Sequence, residues 1–263
     1  MNYLTFSLPP KCSAGLNHHL GNLYCFLNLA YHKKKTLISP FVILDKKHNP
    51  PVHLLSDLSK YFQFDSVIVE GNPFPIIPNM NSKDLKDIEV VDINQESYDL
   101  CGGALFNSYI FSSVPDYPRY IPTKNDLKKI AKNFAEIISD KYTCIHVRRG
   151  DRVFNFKTGE VRDEELNYAT SAENILKFAK LCGNKKVYIM TDEPPNFFSS
   201  LRDSDFDFFF CEDFDILNFK DNFLLYQIEK QIMQLADKKI STFSIDMFED
   251  FYDFSLLDRK GWS

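Results

Sequence analysis

The stretch Lys141-Tyr142-Thr143-Cys144-Ile145-His146-Val147-Arg148-Arg149-Gly150-Asp151-Arg152 changes character halfway along. Residues 142–147 are rich in β-branched and aromatic side chains, which predicts a buried strand. Two adjacent arginines, a glycine, an aspartate and a third arginine follow at once. Fixed positive charge is thereby set at the carboxyl end of a sheet, the edge on which α/β proteins bind anionic ligands. The forked donors of Arg148 and Arg149 match the oxygens of a phosphate or pyrophosphate and never deprotonate. From this segment alone, a structural ion pair between one arginine and Asp151, or a solvated turn, reads the same residues.

The strand sits in a chain of 263 residues, enough for one large domain or for two with a core each. Charged residues at 25% and apolar residues at 44% are those of an ordinary soluble globular protein. A net charge of −5 argues against nucleic acid as a whole-chain partner, so any phosphate affinity is local. The six cysteines are scattered without a Cys-x-x-Cys pair and read as buried thiols, not as a zinc site or disulfide framework. The amino terminus runs directly into a strand pattern, and no apolar run is long enough to span a bilayer. The chain therefore reads as cytoplasmic, with no transmembrane segment.

Toward the amino terminus, alternation over 3–8 predicts a first strand and 9–15 a loop. Leu20, Leu23, Leu27 and Ala30 fall on one face of a helix over about 17–31. Asn17 is a natural N-cap and Gly15 permits close backbone approach before it. A strand, a glycine loop and a helix start in succession suit an anion or a sugar, although many βα units begin this way. Short strands are predicted over 36–40, 66–70 and 88–91, a short helix over 55–61, and irregular backbone over the proline-rich 71–80. The aromatic, proline-containing stretch 105–122 marks the passage between halves, giving domains of 1–122 and 123–263.

Downstream, Thr123 is read as the cap of a helix with Leu127, Ile130, Phe134 and Ile137 on its inner face. A second helix, capped by Thr170, runs to Cys182 and is closed by Gly183. Strands over 186–192, 207–211 and 239–242 alternate with a helix over 223–235, and a last helix is predicted from 244. Regular alternation makes the class α/β with parallel sheets. In a parallel sheet all strand carboxyl ends share one edge. The arginine cluster, Thr191-Asp192-Glu193 and Ser241-Thr242-Phe243-Ser244 therefore converge. The hydroxyls and first amides of the last group suit phosphate oxygens, or serve as plain helix caps. Asp192 is equally a turn residue ahead of Pro194. Glu229, with Leu225 and Met233 one turn to either side, is placed to accept two donors from a guanine edge, or to snorkel at the surface.

These motifs, in this order, resemble the fucosyltransferase superfamily, which includes α1,6-, Nod-factor, α1,2- and protein O-fucosyltransferases. The resemblance rests on His146-x-Arg148-Arg149-x-Asp151 after one strand, a Thr-Asp-acid turn after another, and Ala236-Asp237 followed by Ser241-Thr242-Phe243-Ser244. Ala14-Gly15-Leu16-Asn17-His18-His19-Leu20 is similar to the superfamily's Gly-hydrophobic-Asn motif, nearest its O-fucosyltransferase version.

The resemblance implies an α/β, GT-B-like fold of two Rossmann-type domains facing a central cleft, 1–122 on the acceptor side and 123–263 holding the nucleotide sugar. It implies transfer of L-fucose from GDP-β-L-fucose, with inversion, to a hydroxyl of a glycan acceptor. No cofactor or metal is implied, GDP-fucose being the donor substrate, and a location peripheral to a membrane where glycans are assembled joins the cytoplasmic one. Arg148 matches the arginine that holds the β-phosphate and neutralises the leaving GDP; Arg149 and Asp151 match the rest of that motif, which holds the site's shape. His146 matches a residue near the nucleotide and Glu229 the acidic guanine-binding residue. Asp192, Ser241, Thr242, Phe243 and Ser244 match further donor-site positions, as do Gly15 and Asn17 from the amino-terminal domain, and His18 and His19 the acceptor side. Ala14 stands where some O-fucosyltransferases carry a glutamate, and Phe156 near where α1,6-enzymes do. No general base is therefore assigned, with Asp151, Glu160, Asp163 and Glu164 candidates by proximity. The alternatives are the same fold with another nucleotide sugar, or a non-catalytic GDP-sugar or glycan-binding protein.

Overall fold

The computed structural model describes residues 2–8, 13–14, 16–44, 55–93, 113–115, 117–155, 157–214, 221–241 and 255–256. The chain divides into two compact units, Met1–Asp126 with Asp221–Phe223, and Leu127–Lys220 with Leu224–Ser263.

The first unit contains β1 (Tyr3–Ser7), β2 (Ser13–Ala14), α1 (Leu16–His32), β3 (Thr36–Ser39), β4 (Phe41–Leu44) and β5 (Leu55–Asp57). It continues with β6 (Ile68–Val69), β7 (Asn72–Pro73), β8 (Ile77–Pro78), β9 (Ile88–Asp92) and β10 (Arg119–Tyr120). Its main sheet is parallel, in the order β8-β3-β1-β9. The predicted inner face of α1, Leu20, Leu23, Leu27 and Ala30, is buried, but so are Tyr24, Cys25, Phe26 and Leu29 on its other sides. A helix apolar around its circumference lies inside a core. Phe26 stacks on Phe6 of β1 with ring centroids 3.8 Å apart.

Two local expectations in this unit are corrected. Residues 55–57 pair antiparallel with β4, and only Leu58–Lys60 turn as a 3-10 helix, because the ladder to Phe41–Ile43 claims their backbone. The proline-rich stretch holds a hairpin, β6 to β7, closed by Glu70 and Gly71 at φ of 49° and 77°. Positive φ at both central residues is the primed turn that matches strand twist. Pro73 faces Ile68 where the ladder asks no N–H of it; the next bond runs from the Phe74 N–H to the Val67 carbonyl at 2.8 Å.

The second unit is built around α2 (Asn125–Ile138), β11 (Thr143–Val147), α3 (Gly150–Val153), α4 (Glu164–Ala169) and α5 (Ala172–Cys182). Then come β12 (Lys186–Thr191), β13 (Asp207–Phe209), α6 (Asn222–Leu235), β14 (Lys238–Ser241) and β15 (Ser255–Leu256). The sheet is parallel throughout, in the order β13-β12-β11-β14-β15. This is the Rossmann order, which reverses direction between β11 and β14. Strand pleating sends Cys144, Tyr188 and Met190 to one face, against Ile228, Ile232 and Met233 of α6 and Ala131 of α2. Ile145, Val147, Val187 and Ile189 point the other way, onto Ile175 and Ala179 of α5 and onto Phe198 and Leu201. Each such fully buried aliphatic side chain contributes roughly 1.5–3 kcal/mol.

Thr123 forms an antiparallel bridge with Phe62, and α2 begins at Asn125. Ser171, not Thr170, caps α5 by accepting the Asn174 N–H, and Gly183 closes that helix at a left-handed φ of 78°. The helix expected from 244 falls outside the described residues, apart from Ser255–Leu256, which are extended and pair with Ile240–Ser241. Among the described residues no helix is long and apolar enough to cross a membrane.

Candidate functional site

The second sheet reverses order between β11 and β14, and residues 148–152 leave the sheet there. Beside such a reversal the connections on either side diverge, which opens a crevice at the carboxyl ends of the two strands. His146 is the Cα partner of Ser241 across that gap, and the Ser241 hydroxyl lies 3.5 Å from His146 Nδ1. Arg148 follows as the first residue beyond β11 and is half-buried. Burial, aided by the Arg148 charge, holds the His146 imidazole down to about 4, so it is neutral at physiological pH. The edge therefore presents a guanidinium and a neutral imidazole, which accommodate an anion, while the Ser241 hydroxyl is fully buried against the ring.

Arg149 has a different task. It is only 2% exposed. Its Nε donates to Glu193 Oε1 at 2.9 Å, one NH2 group to the Asn167 carbonyl at 3.1 Å and to the Thr170 hydroxyl, and the other to Asn167 Oδ1 at 2.6 Å. The guanidinium lies over the Phe197 ring at 4.5 Å and the Phe154 ring at 5.6 Å. Its backbone N–H donates to Asp192 Oδ1 at 2.9 Å. Thr191 completes the turn by accepting the Glu193 N–H at 3.1 Å. All three residues of the Thr191-Asp192-Glu193 signature thus shape or grip the arginine loop.

Glu229 is 6% exposed and accepts the Tyr188 hydroxyl at 2.8 Å. Burial pushes its carboxyl up to about 7, against the pull of the Tyr188 hydrogen bond. Tyr188 is the register partner of Cys144, and Cys144 shares a sheet face with His146. The Tyr188–Glu229 pair therefore lies behind His146 on that face, roughly 7 Å back along the strand.

Of the remaining expected residues, Gly15, Thr242, Phe243 and Ser244 lie outside the described residues, as does Phe156. Asn17 and His18 fall in the first turn of α1 and Asp151 in α3, with their side chains outside the description. His19 is 1% exposed, and its Nε2 is 3.0 Å from the Ile43 carbonyl, which ties α1 to β4. Asp163 accepts the Leu166 N–H at 2.8 Å as the N-cap of α4, while Glu160 and Glu164 are exposed. The sequence reading missed Tyr188, Asn167 and Thr170 as site partners. Tyr188 carried a signal, since a hydroxyl inside an otherwise apolar strand must find a partner. Asn167 carried none. Among the described residues no group of three or more His, Cys, Asp or Glu side chains is placed to hold a metal ion.

No family model and no curated protein matches the sequence. Solved structures do match in fold. POFUT1 in complex with GDP-fucose superposes with a TM-score of 0.52 at 14% identity, over 91% of this chain and 90% of that one. The α-1,6-fucosyltransferase NodZ soaked with GDP-fucose gives 0.46 at 12% identity, over 94% and 90%. NodZ from Bradyrhizobium gives 0.47 at 12% identity, again over 94% and 90%. The chain has the α/β, GT-B-like fold of the POFUT1 structure, with a Rossmann-type sheet in each unit.

Proposed function

We propose that the chain is a fucosyltransferase that moves L-fucose from GDP-β-L-fucose to a hydroxyl of a glycan acceptor, with inversion and without a metal ion. The observation that carries this is Arg148 beside His146 and Ser241 at the strand-order reversal of a sheet whose fold is shared with a GDP-fucose-bound fucosyltransferase. In this reading residues 123–263 hold the donor, joined by Gly15 and Asn17, and residues 1–122 serve the acceptor, with His18 and His19 on that side.

In the transfer, the acceptor oxygen attacks the anomeric carbon from the face opposite the phosphate. The bond from that carbon to the phosphate oxygen breaks, its electron pair stays with GDP, and the proton of the acceptor hydroxyl passes to the departing β-phosphate or to water. Charge grows on the β-phosphate as the bond opens, so a fixed guanidinium stabilises the transition state more than the bound donor. Arg148 supplies that charge, which is the role a metal ion plays elsewhere. Neutral His146, backed by the Ser241 hydroxyl, fixes the nucleotide, together with Thr242, Phe243 and Ser244. Glu229, held through Oε1 by Tyr188, turns Oε2 toward the guanine edge.

The burial of Glu229 favours one second reading, the same chemistry with a different nucleotide sugar. Incubating the full chain with GDP-fucose and a glycan array tests both. The expected result is an α-linked fucosylated product whose yield is unchanged by EDTA, with GDP raising the melting temperature more than UDP. Protection by UDP and not GDP favours the second reading. Tight GDP binding without transfer or donor hydrolysis identifies a non-catalytic binding protein.

A further inference from the structure

We propose that Glu193, Asn167 and Thr170 form a socket that locks Arg149, and that by locking Arg149 they aim Arg148 before the donor arrives. The proposal rests on the fucosyltransferase reading of the same site and adds three positioning residues to it. An arginine that receives a phosphate keeps its fork open to the ligand. Four of the five Arg149 N–H donors are already taken. Glu193 takes Nε, Asn167 takes one N–H from each terminal nitrogen through its carbonyl and its Oδ1, and the Thr170 hydroxyl takes another. Glu193 also neutralises the charge in a site where its own side chain is 14% exposed and that of Arg149 3%.

Such a network is an expensive way to hold a loop. Two desolvated charges gain little net stability over apolar side chains of the same volume. What the ion pair and its hydrogen bonds add is direction. The side chain is fixed by residues from β12's turn and from α4 and its C-terminal end, while the backbone N–H is fixed separately by Asp192. Arg149 is thereby held at φ −112° and ψ −70°, at the entry to α3. With the peptide joining it to Arg148 held at its far end, the backbone from which the Arg148 side chain leaves the sheet is fixed. Stabilising charge that is oriented in advance costs no reorganisation when the reaction occurs.

Thr170 gives the cleanest test, because its hydroxyl both accepts from Arg149 and donates to the Leu166 carbonyl at 2.6 Å. Thr170→Val and Thr170→Ser are compared in the full chain for GDP-fucose hydrolysis and for GDP affinity, with folding checked by circular dichroism. The account expects Thr170→Val to lose kcat by about a hundredfold, the scale of a small misplacement of a reacting group, with KM changed far less. Thr170→Ser is expected to restore kcat. Wild-type kcat in Thr170→Val, or an equal loss in Thr170→Ser, overturns the proposal. If Thr170→Val does not fold, Glu193→Gln, which keeps an acceptor, is expected to outperform Glu193→Ala by a similar factor, and equal rates overturn it. Arg148→Ala runs alongside. Turnover retained there sinks the functional reading, whereas turnover lost there and kept in every socket variant sinks only the socket. If the wild-type chain binds GDP without hydrolysing it, the same comparison is read in GDP affinity, expected to be weaker in Thr170→Val and restored in Thr170→Ser.

Discussion

His146 and Glu229 share a sheet face and titrate in opposite senses. The stability contributed by neutral His146, whose folded value is about 4, is present above 6.5 and lost as pH falls toward 4. Glu229, raised to about 7, favours the folded state in its protonated form. That contribution is complete below 4.5 and is lost as pH rises through 7. Replacing Glu229 by Gln removes only the second effect. Urea unfolding of Glu229→Gln and wild type across pH 4.5 to 7 is expected to show the variant gaining on the wild type by on the order of 3 kcal/mol. A difference that does not change with pH would mean that Glu229 is solvated in the folded protein. At this scale the sequence was partly readable. Arg148, Arg149 and Glu193 stand out by type and spacing. The division of labour between the two arginines does not, because it depends on Asn167 and Thr170, which are distant in sequence and ordinary in composition.

The elements around the arginine loop are set by caps and by registers more than by propensity. Alternation and helical spacing located β1, β3, β11, β12, α1, α5 and α6 to within a few residues, since each carries a long or uniform apolar pattern. The same logic failed at 55–61, where pairing with β4 overrode a helical pattern, and at 71–80, where Pro73 and Pro78 lie in the short strands β7 and β8. The cap of α5 was misplaced by one residue, because Thr170 is taken by Arg149 and Ser171 is left to cap. Asp163 shows how a cap resembles a catalytic carboxylate in the sequence. Because its carboxylate is bonded to the Leu166 N–H, Asp163→Ala is expected to cost about 1 kcal/mol in chemical denaturation. Donor hydrolysis by that variant is expected to continue at the wild-type rate, and a loss of orders of magnitude would restore Asp163 as a base.

Across the whole molecule, both units arrange parallel strands so that a first strand lies inside, its successors run to one side, and later strands to the other. The alternation of strands and helices predicts such sheets but not their order, which is fixed by which strand each crossover returns to. Only with the order in hand do His146, Arg148 and Ser241 become neighbours at one reversal point, although almost a hundred residues separate the first from the last. That convergence turns a cationic cluster, equally readable as a structural ion pair, into two arginines with separate work, one gripped by the fold and one beside the imidazole and hydroxyl. The account stands or falls on Arg148 meeting the leaving phosphate. The rate of GDP release from GDP-fucose, measured for wild type and Arg148→Ala at equal folded concentration, is expected to fall by about a thousandfold in the variant. Equal rates in the two proteins would contradict it.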